Sequence, residues 1–401
     1  MGVAQRDVEP IGARVRYWRQ RRMLSRPQLA SLTDRSVSWL EKVEAGERPL
    51  HNLDVIERLA TALSIEPRLL IDGGASRSAE LRVDVAEIAG VHDALAWYSV
   101  TEPDRHRSLD EVTPLLNRLG AAWLESEFVT VGRYLPGLLV AVQQLPTDGP
   151  DSVAVARAQV RAYRLACSML LKYRRNELAW LAADRAMAVG ERSDDDVALA
   201  RATRSVARAL SHCGQSRRSI ATAVAMADRL APLTSVEDEA LPLRGMLMLA
   251  AQITAANLGD ADTARELHVA AASLARGVSE NERHETQFGP TNVAFHRVAA
   301  LVRLREPADA LAVGRTVSPH AVTAMPTERR AAYFLDLAEA LLSTGRPSAA
   351  LGRLLEADSA APQEVRGRPE PADLVRRLLS TRECGRDERL RALADEAGIA
   401  A

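Results

Sequence analysis

The chain of 401 residues is long enough for two or three domains, and its three cysteines, Cys167, Cys213 and Cys384, are too few and too scattered for a zinc cluster or a disulfide framework. With 52 Lys plus Arg against 53 Asp plus Glu the formal net charge is −1, so a surface for nucleic acid has to arise from local charge segregation. No apolar run reaches the roughly 20 residues of a membrane span, and the opening MGVAQRDVEP lacks the apolar stretch of a signal peptide, so a soluble, cytoplasmic protein is expected.

Apolar residues at Ile11, Val15, Leu24, Leu29, Leu32, Val37, Leu40, Val43, Leu53, Ile56, Leu59, Leu63 and Leu70 recur at helical intervals and predict a compact block of short amphipathic helices. Within it Ser25 and Ser36 are placed to cap two helices, with Pro27 in the first turn of the earlier one. Leu29-Ala30 offers a large and a small side chain for a close crossing. Val37, Leu40 and Val43 are expected to face inward, and Gly46 to end the helix. Residues 10–33 carry Arg14, Arg16, Arg19, Arg21, Arg22 and Arg26 with no Asp or Glu, a one-signed stretch suited to phosphates. The run Asp72 to Ser78, rich in Gly and Ser, reads as a flexible link. The expected division is therefore 1–72, a linker at 73–79, and a second domain over 80–401.

Leu24 to Gly46 resembles, without a gap, the XRE or phage-repressor (Cro/C1-type) helix-turn-helix family. The resemblance implies a lambda-repressor-like domain bound to double-stranded DNA, its third helix in the major groove. It implies Val37, Ser38 and Lys42 as base readers, Trp39 against backbone or a thymine methyl, and Arg26 on a phosphate beside them. Ser25 and Ser36 complete the interface as caps. It also implies a structural pair of Arg19 with Glu44. The usual glycine and apolar residue of the turn are here Asp34 and Arg35.

Beyond residue 80 helical periodicity continues almost to the end with no alternating strands, which predicts an all-α second domain. A small-residue pattern at i, i+12 and i+19 recurs as Cys167, Ala179, Ala186, as Ala338, Ala350, Ala357, and less regularly as Gln252, Ala264, Ala271. Gly214, Gly259 and Gly345 fall seven residues after the first site of their copies. The pattern resembles the tetratricopeptide repeat, with copies near 160–193, 200–233, 245–278, 291–324 and 331–364. Residues 80–145 are expected to belong to the same α-solenoid in a register the pattern does not reveal.

In such a superhelix the first helix of each pair lines the concave side. At about 100° per residue, its groove flank holds Arg161, Arg164, Ser168, Leu171 and Lys172, then Arg201, Arg204, Arg208, Ser211 and His212. Later copies add Asn257, Asn292, Phe295 and Arg303. Arginines so placed suit an anion and asparagines a peptide backbone; the competing reading pairs each arginine with an acid such as Glu177, Asp184, Glu191 or Glu339.

No nucleotide-binding loop appears, no cofactor is implied, and His284-Glu285 with His296 lack metal-site spacing. Cys167 is read as a packing residue. The expected protein is not an enzyme. It is a homodimeric transcription regulator on an inverted-repeat operator, sensing a peptide or small anionic ligand. Arginine almost throughout in place of lysine and abundant alanine, the mark of a GC-rich genome, fit an actinobacterial host, and a helix-turn-helix joined to a basic-grooved repeat domain is similar in architecture to the peptide-responsive quorum regulators of Gram-positive bacteria. The alternative is a DNA-bound scaffold whose repeats recruit a protein partner.

Overall fold

A computed structural model of the protein describes residues 10–98, 106–278 and 285–399, and among these every regular element is helical. Six helices open the chain: α1 (Ile11–Arg21), α2 (Arg26–Leu32), α3 (Val37–Glu44), α4 (Leu53–Ala62), α5 (Arg68–Ile71) and α6 (Gly73–Glu80). Val15, Trp18, Leu29, Leu40, Leu59, Leu63 and Leu70 fill the core of this block. Gly12 is required where α1 crosses α3, because a Cβ there would stand 1.9 Å from the Val43 carbonyl oxygen. Leu32, Val37 and Leu53 leave the expected apolar stripe and face solvent, since each begins or ends its helix rather than lying along the packed side.

The stretch expected as a flexible link is α6. Asp72 accepts a hydrogen bond from the Gly74 N–H at 2.8 Å, and the small residues Gly73 and Ser76 are buried. The composition that suggested mobility supplies side chains small enough for close packing against α5 and against α23 (Glu388–Glu396) at the far end of the chain.

Next come α7 (Val85–Ala96), α8 (Leu109–Leu124) and α9 (Phe128–Gln143), then the pairs α10 (Ser152–Lys172) with α11 (Asn176–Arg192), and α12 (Asp196–His212) with α13 (Ser216–Arg229). The array continues through α14 (Ala240–Asn257), α15 (Ala261–Ala275), α16 (Pro290–Arg303), α17 (Pro307–Thr316), α18 (Pro319–Ala324), α19 (Thr327–Ser343) and α20 (Pro347–Ala360). It closes with α21 (Pro362–Val365), α22 (Pro371–Leu379) and α23. Neighbours in sequence pack as neighbours in space, which makes this a helical-repeat array.

The small sites explain the packing. Cys167, Ala179, Ala186, Ala264, Ala271, Ala310, Ala338, Ala350 and Ala357 are all 0 % exposed, each where two helices approach. One turn joins every pair: Arg174, Gly214, Gly259, Arg305 and Gly345 are left-handed, with φ from 56° to 78°. The N–H that follows donates five residues back, as in Arg175 to Leu170 and Arg346 to Leu341, at 2.8 and 3.0 Å, satisfying a carbonyl orphaned by the helix end.

The same turn fixes the register missing from residues 80–145. Ser126 is left-handed with φ 60°, and Glu127 donates to Ala122 at 2.8 Å. Thus α8 and α9 form a further copy whose sites are Leu119, Val131 and Leu138, all 0 % exposed. In the copy at 291–324 the second helix stops at Thr316, because Pro319 disfavours helical backbone at Ser318, and α18 starts afresh there.

The array returns on itself. α8 packs against α19, where the Thr327 hydroxyl donates to Glu125 at 2.6 Å. The Val129 N–H donates to Gln363 Oε1 at 2.9 Å, and Arg82 reaches the Arg366 carbonyl at 3.3 Å. Among the described residues no helix is long and apolar enough to cross a membrane.

Candidate nucleic-acid interface and basic chamber

Helices α2 and α3 are set by their caps. Ser25 Oγ accepts from the Gln28 N–H at 3.3 Å while Gln28 Oε1 accepts from the Ser25 N–H at 2.8 Å, a reciprocal capping box. Ser36 Oγ accepts from the Trp39 N–H at 3.1 Å. Between them Asp34 takes the left-handed conformation, φ 52°, which its short polar side chain tolerates. Arg35 lies over the Trp39 ring at 5.2 Å, so the charge that replaces an apolar plug is half-buried against an aromatic face.

α3 buries Leu40, Val43 and Glu44 and turns Ser38, Glu41 and Lys42 outward. Val37, expected inward, is 38 % exposed and joins that outer face. It is the first residue of the helix, so Leu40, Val43 and Glu44 alone make the i, i+3, i+4 stripe.

The one-signed arginine stretch is mostly spent inside the fold. Arg14 donates to the Leu70 carbonyl at 2.7 Å and so caps the end of α5. Arg19 forks onto Glu44 at 2.6 and 3.1 Å and is 8 % exposed, which removes it from a DNA-facing set. Arg21 forks onto Glu87 at 2.8 and 2.9 Å, and Arg22 reaches Asp84 and the Leu63 carbonyl. Arg26, expected on a phosphate, gives its Nε to Glu44 at 2.9 Å and remains partly exposed. Arg16 stays on the surface. Three guanidinium groups therefore lean on two carboxylates of α3 and α7; Arg19 and Arg26 hold the Glu44 carboxyl below its ordinary range against the opposing effect of burial.

A protein-family model described as a helix-turn-helix domain matches residues 10–70. The N-terminal domain is a helix-turn-helix DNA-binding domain. No curated protein matches the chain.

From this DNA-binding domain a chain of buried contacts runs into the array. Glu87, which holds Arg21, also closes the cap of α7 by accepting from the Asp84 N–H at 3.0 Å. Val83 N–H meets the Tyr173 hydroxyl at 3.5 Å, and the neighbouring Lys172 pairs with Glu328 at 2.8 Å and Glu364 at 2.9 Å. Gly367 admits no side chain, since a Cβ would stand 2.2 Å from the Leu81 carbonyl oxygen.

The groove residues expected from the repeat pattern divide into two groups. Arg161 and Arg201 both bind Glu285, and Arg201 also binds Glu239. Lys172 is held by Glu328 and Glu364 as described. Phe295 stacks on Tyr333 with centroids 4.0 Å apart and belongs to the core. Asn292 is 1 % exposed and donates to the Gln287 carbonyl at 2.8 Å, fastening the start of α16. These five are structural; one flank of a helix also meets its neighbours in the array, which the helical wheel does not show. His284 lies outside the described residues. Among those residues no His, Cys, Asp and Glu set gathers as metal ligands.

The remaining residues converge. Arg164, Ser168, Arg204, Arg208, His212, Asn257 and Arg303 line one cavity of about 240 Å³, with Trp123 and Ile253 as apolar wall. His296, Glu328 and Arg329 also line it; they stand before Val298 and Ala338 in their helices at intervals the repeat pattern does not select. Arg208 donates to Ser168 Oγ at 2.8 Å, while Arg204 Nε has no hydrogen-bond partner among the described residues.

Burial pushes the Arg164 guanidinium down to about 10, with Arg201, Arg161 and Arg208 adding to the effect and Glu285 opposing it. Burial, then Arg208, Arg329 and Arg164, pushes Arg204 well down. Arginine keeps its proton in ordinary solution, so these are guanidinium cations held buried and close to one another, with Glu285 opposing the repulsion at Arg164. Glu328, whose burial works against ionisation, is kept ionised by Lys172 and Arg329. His296 is driven to about 3 by burial and Arg329, and is neutral. Cys167 behind this wall is raised to about 11 by burial, consistent with packing rather than redox chemistry.

Proposed function

We propose that the protein is a sequence-specific transcription regulator whose tetratricopeptide-like array binds a peptide or small anionic ligand and thereby changes operator affinity. The observation that carries the reading is the chamber: Arg164, Arg204, Arg208, Arg303 and Arg329 face one cavity in which Glu328 is the acidic lining residue. A cluster of repelled guanidinium groups destabilises the empty array, and an anion would relieve it.

The left-handed turn shared by the helix pairs supports the likeness to tetratricopeptide repeats. The interior, crossed by the protein's own ion pairs at Lys172, Glu328 and Glu364, favours a small ligand over a docked protein partner. Transmission is assigned to the contacts from Lys172 and Tyr173 through Val83 to Glu87 and Arg21. A tenfold change in operator affinity requires a ligand to prefer one state by about 1.4 kcal/mol, within reach of one charge-assisted hydrogen bond. On DNA we assign a homodimer to an inverted repeat, with Val37, Ser38 and Lys42 reading bases and Trp39 beside them.

The test is fluorescence anisotropy of full-length protein on a selected operator, with and without the dialysable fraction of host extract. A shift in affinity that Arg204→Met or Arg208→Met abolishes is expected. Unchanged affinity with every fraction, in the face of intact DNA binding, would count against sensing and leave the scaffold reading.

A further inference from the structure

The chamber narrows the ligand class within that sensing reading, on which the following rests. We infer that its occupant is a compact polyanion bearing at least two negative charges on oxygen, of the phosphate-ester or di- and tricarboxylate kind, and not an extended peptide.

Three observations converge. The first is charge: Arg164, Arg204 and Arg208 make no ion pair among the described residues, and Arg329 meets only Glu328, at 3.5 Å, which is already shared with Lys172 at 2.8 Å. A single carboxylate would leave most of that charge unbalanced. Guanidinium forks arriving from α10, α12 and α19 approach from different sides, which suits a group with oxygens on several faces.

Size is the second. A cavity of about 240 Å³ corresponds to roughly eight waters at about 30 Å³ each, room for on the order of ten non-hydrogen atoms. The third is the fence beside it. Past Asn257 and Arg303, which both cavities share, lies a second space of about 510 Å³ whose wall carries Asp336, Glu339, Glu364 and Glu370 together with Lys172 and Arg368. An extended chain would have to continue there, where the cations Lys172, Arg303 and Arg368 are already taken by Glu364, Asp336 and Glu370, so the second space offers an anionic ligand no further free charge to bind. Ser168, Ser211 and Asn257 supply neutral polar groups for orientation, and Trp123 with Ile253 an apolar face.

The experiment is isothermal titration and thermal unfolding of the full-length protein with four probes at matched ionic strength: pyrophosphate, citrate, acetate, and a tetra-alanine peptide with a free carboxylate. Pyrophosphate or citrate is expected to bind saturably and raise Tm, and the better of the two separates phosphoryl from carboxylate recognition. Acetate and the peptide are expected to bind at least tenfold more weakly. Arg204→Met and, independently, Arg208→Met should weaken polyanion binding at least tenfold while the ligand-free Tm stays equal or rises. Circular dichroism verifies that each variant is helical.

A rising Tm with lost binding is the signature of a charge kept for a ligand; a residue kept for structure would lower it. Peptide or acetate binding that equals polyanion binding and depends on Arg204 would overturn the polyanion class and keep anion sensing. Absence of binding by all four probes, or binding indifferent to both variants, would overturn the polyanion inference and remove the chamber's support for sensing.

Discussion

The arginines of α1 and those of the chamber are the same side chain with opposite fates. Arg19, Arg21 and Arg22 each meet a carboxylate delivered from 25 to 66 residues further along the chain, at distances no greater than 3.1 Å for the fork of Arg19 and 2.9 Å for that of Arg21. Arg164, Arg204 and Arg208 are gathered just as deliberately by α10 and α12, yet receive no such partner among the described residues. A basic run in sequence is therefore ambiguous until the fold shows which acids reach it. Here most of the run that looked ready for phosphate is paired inside the fold, and the scattered Arg164, Arg204 and Arg208 are the ones that make no ion pair among the described residues.

The largest test of this contrast is Arg21→Ala. It strands the buried Glu87 carboxylate, and should cost about 3–5 kcal/mol of stability in urea unfolding. A loss below 1 kcal/mol would show that α1 is not locked to α7 in the way described.

Next is DNA. Lys42→Ala should weaken operator binding by about 1–3 kcal/mol and relax preference at one base position. Arg22→Ala should lower stability while leaving base preference unchanged, since Arg22 is committed to Asp84. A reversed outcome in selection experiments would mean that the paired arginines do reach DNA.

A pH series probes the chamber. The folded value of His296, about 3, lies below its ordinary 6.5. The unfolded chain thus takes up this proton first, and the His296 contribution, present at neutral pH, is lost as pH falls from 6.5 toward about 3. His296→Gln should flatten that part of the Tm profile; an unaltered profile would mean the chamber tolerates another positive charge.

The smallest effect is at the turns. Arg305 holds φ 63° where three other copies have glycine. Arg305→Gly should stabilise by about 0.5–1 kcal/mol, the left-handed penalty less the entropy of glycine.

Much of this was legible beforehand because it is local. Capping by Ser25 and Ser36 needs three residues of sequence, and the small sites of a repeat lie within one helix pair. The register of α8 and α9 was not legible, because Leu119, Val131 and Leu138 fill sites that are small elsewhere, and the turn they share shows itself only in the backbone of Ser126. Nor were the partners of Arg21, Lys172 and Phe295, which depend on elements brought together by the closing of the array. Inward-facing Val37 was expected from spacing alone; its position at the helix start turned it out. In the chamber, a helical wheel located Arg164, Arg204 and Arg208 but could not separate them from Arg161 and Arg201, whose carboxylate comes from Glu285.

The return of the array on itself has a consequence for how it comes apart. An open solenoid frays from terminal repeats that have a neighbour on one side only. Here the first described pair is fastened to the last through Thr327 to Glu125 and Val129 to Gln363, so none of the described repeats is left with a neighbour on one side only. Loss of one pair exposes the flanks of two, and the array should melt in a single transition rather than peel.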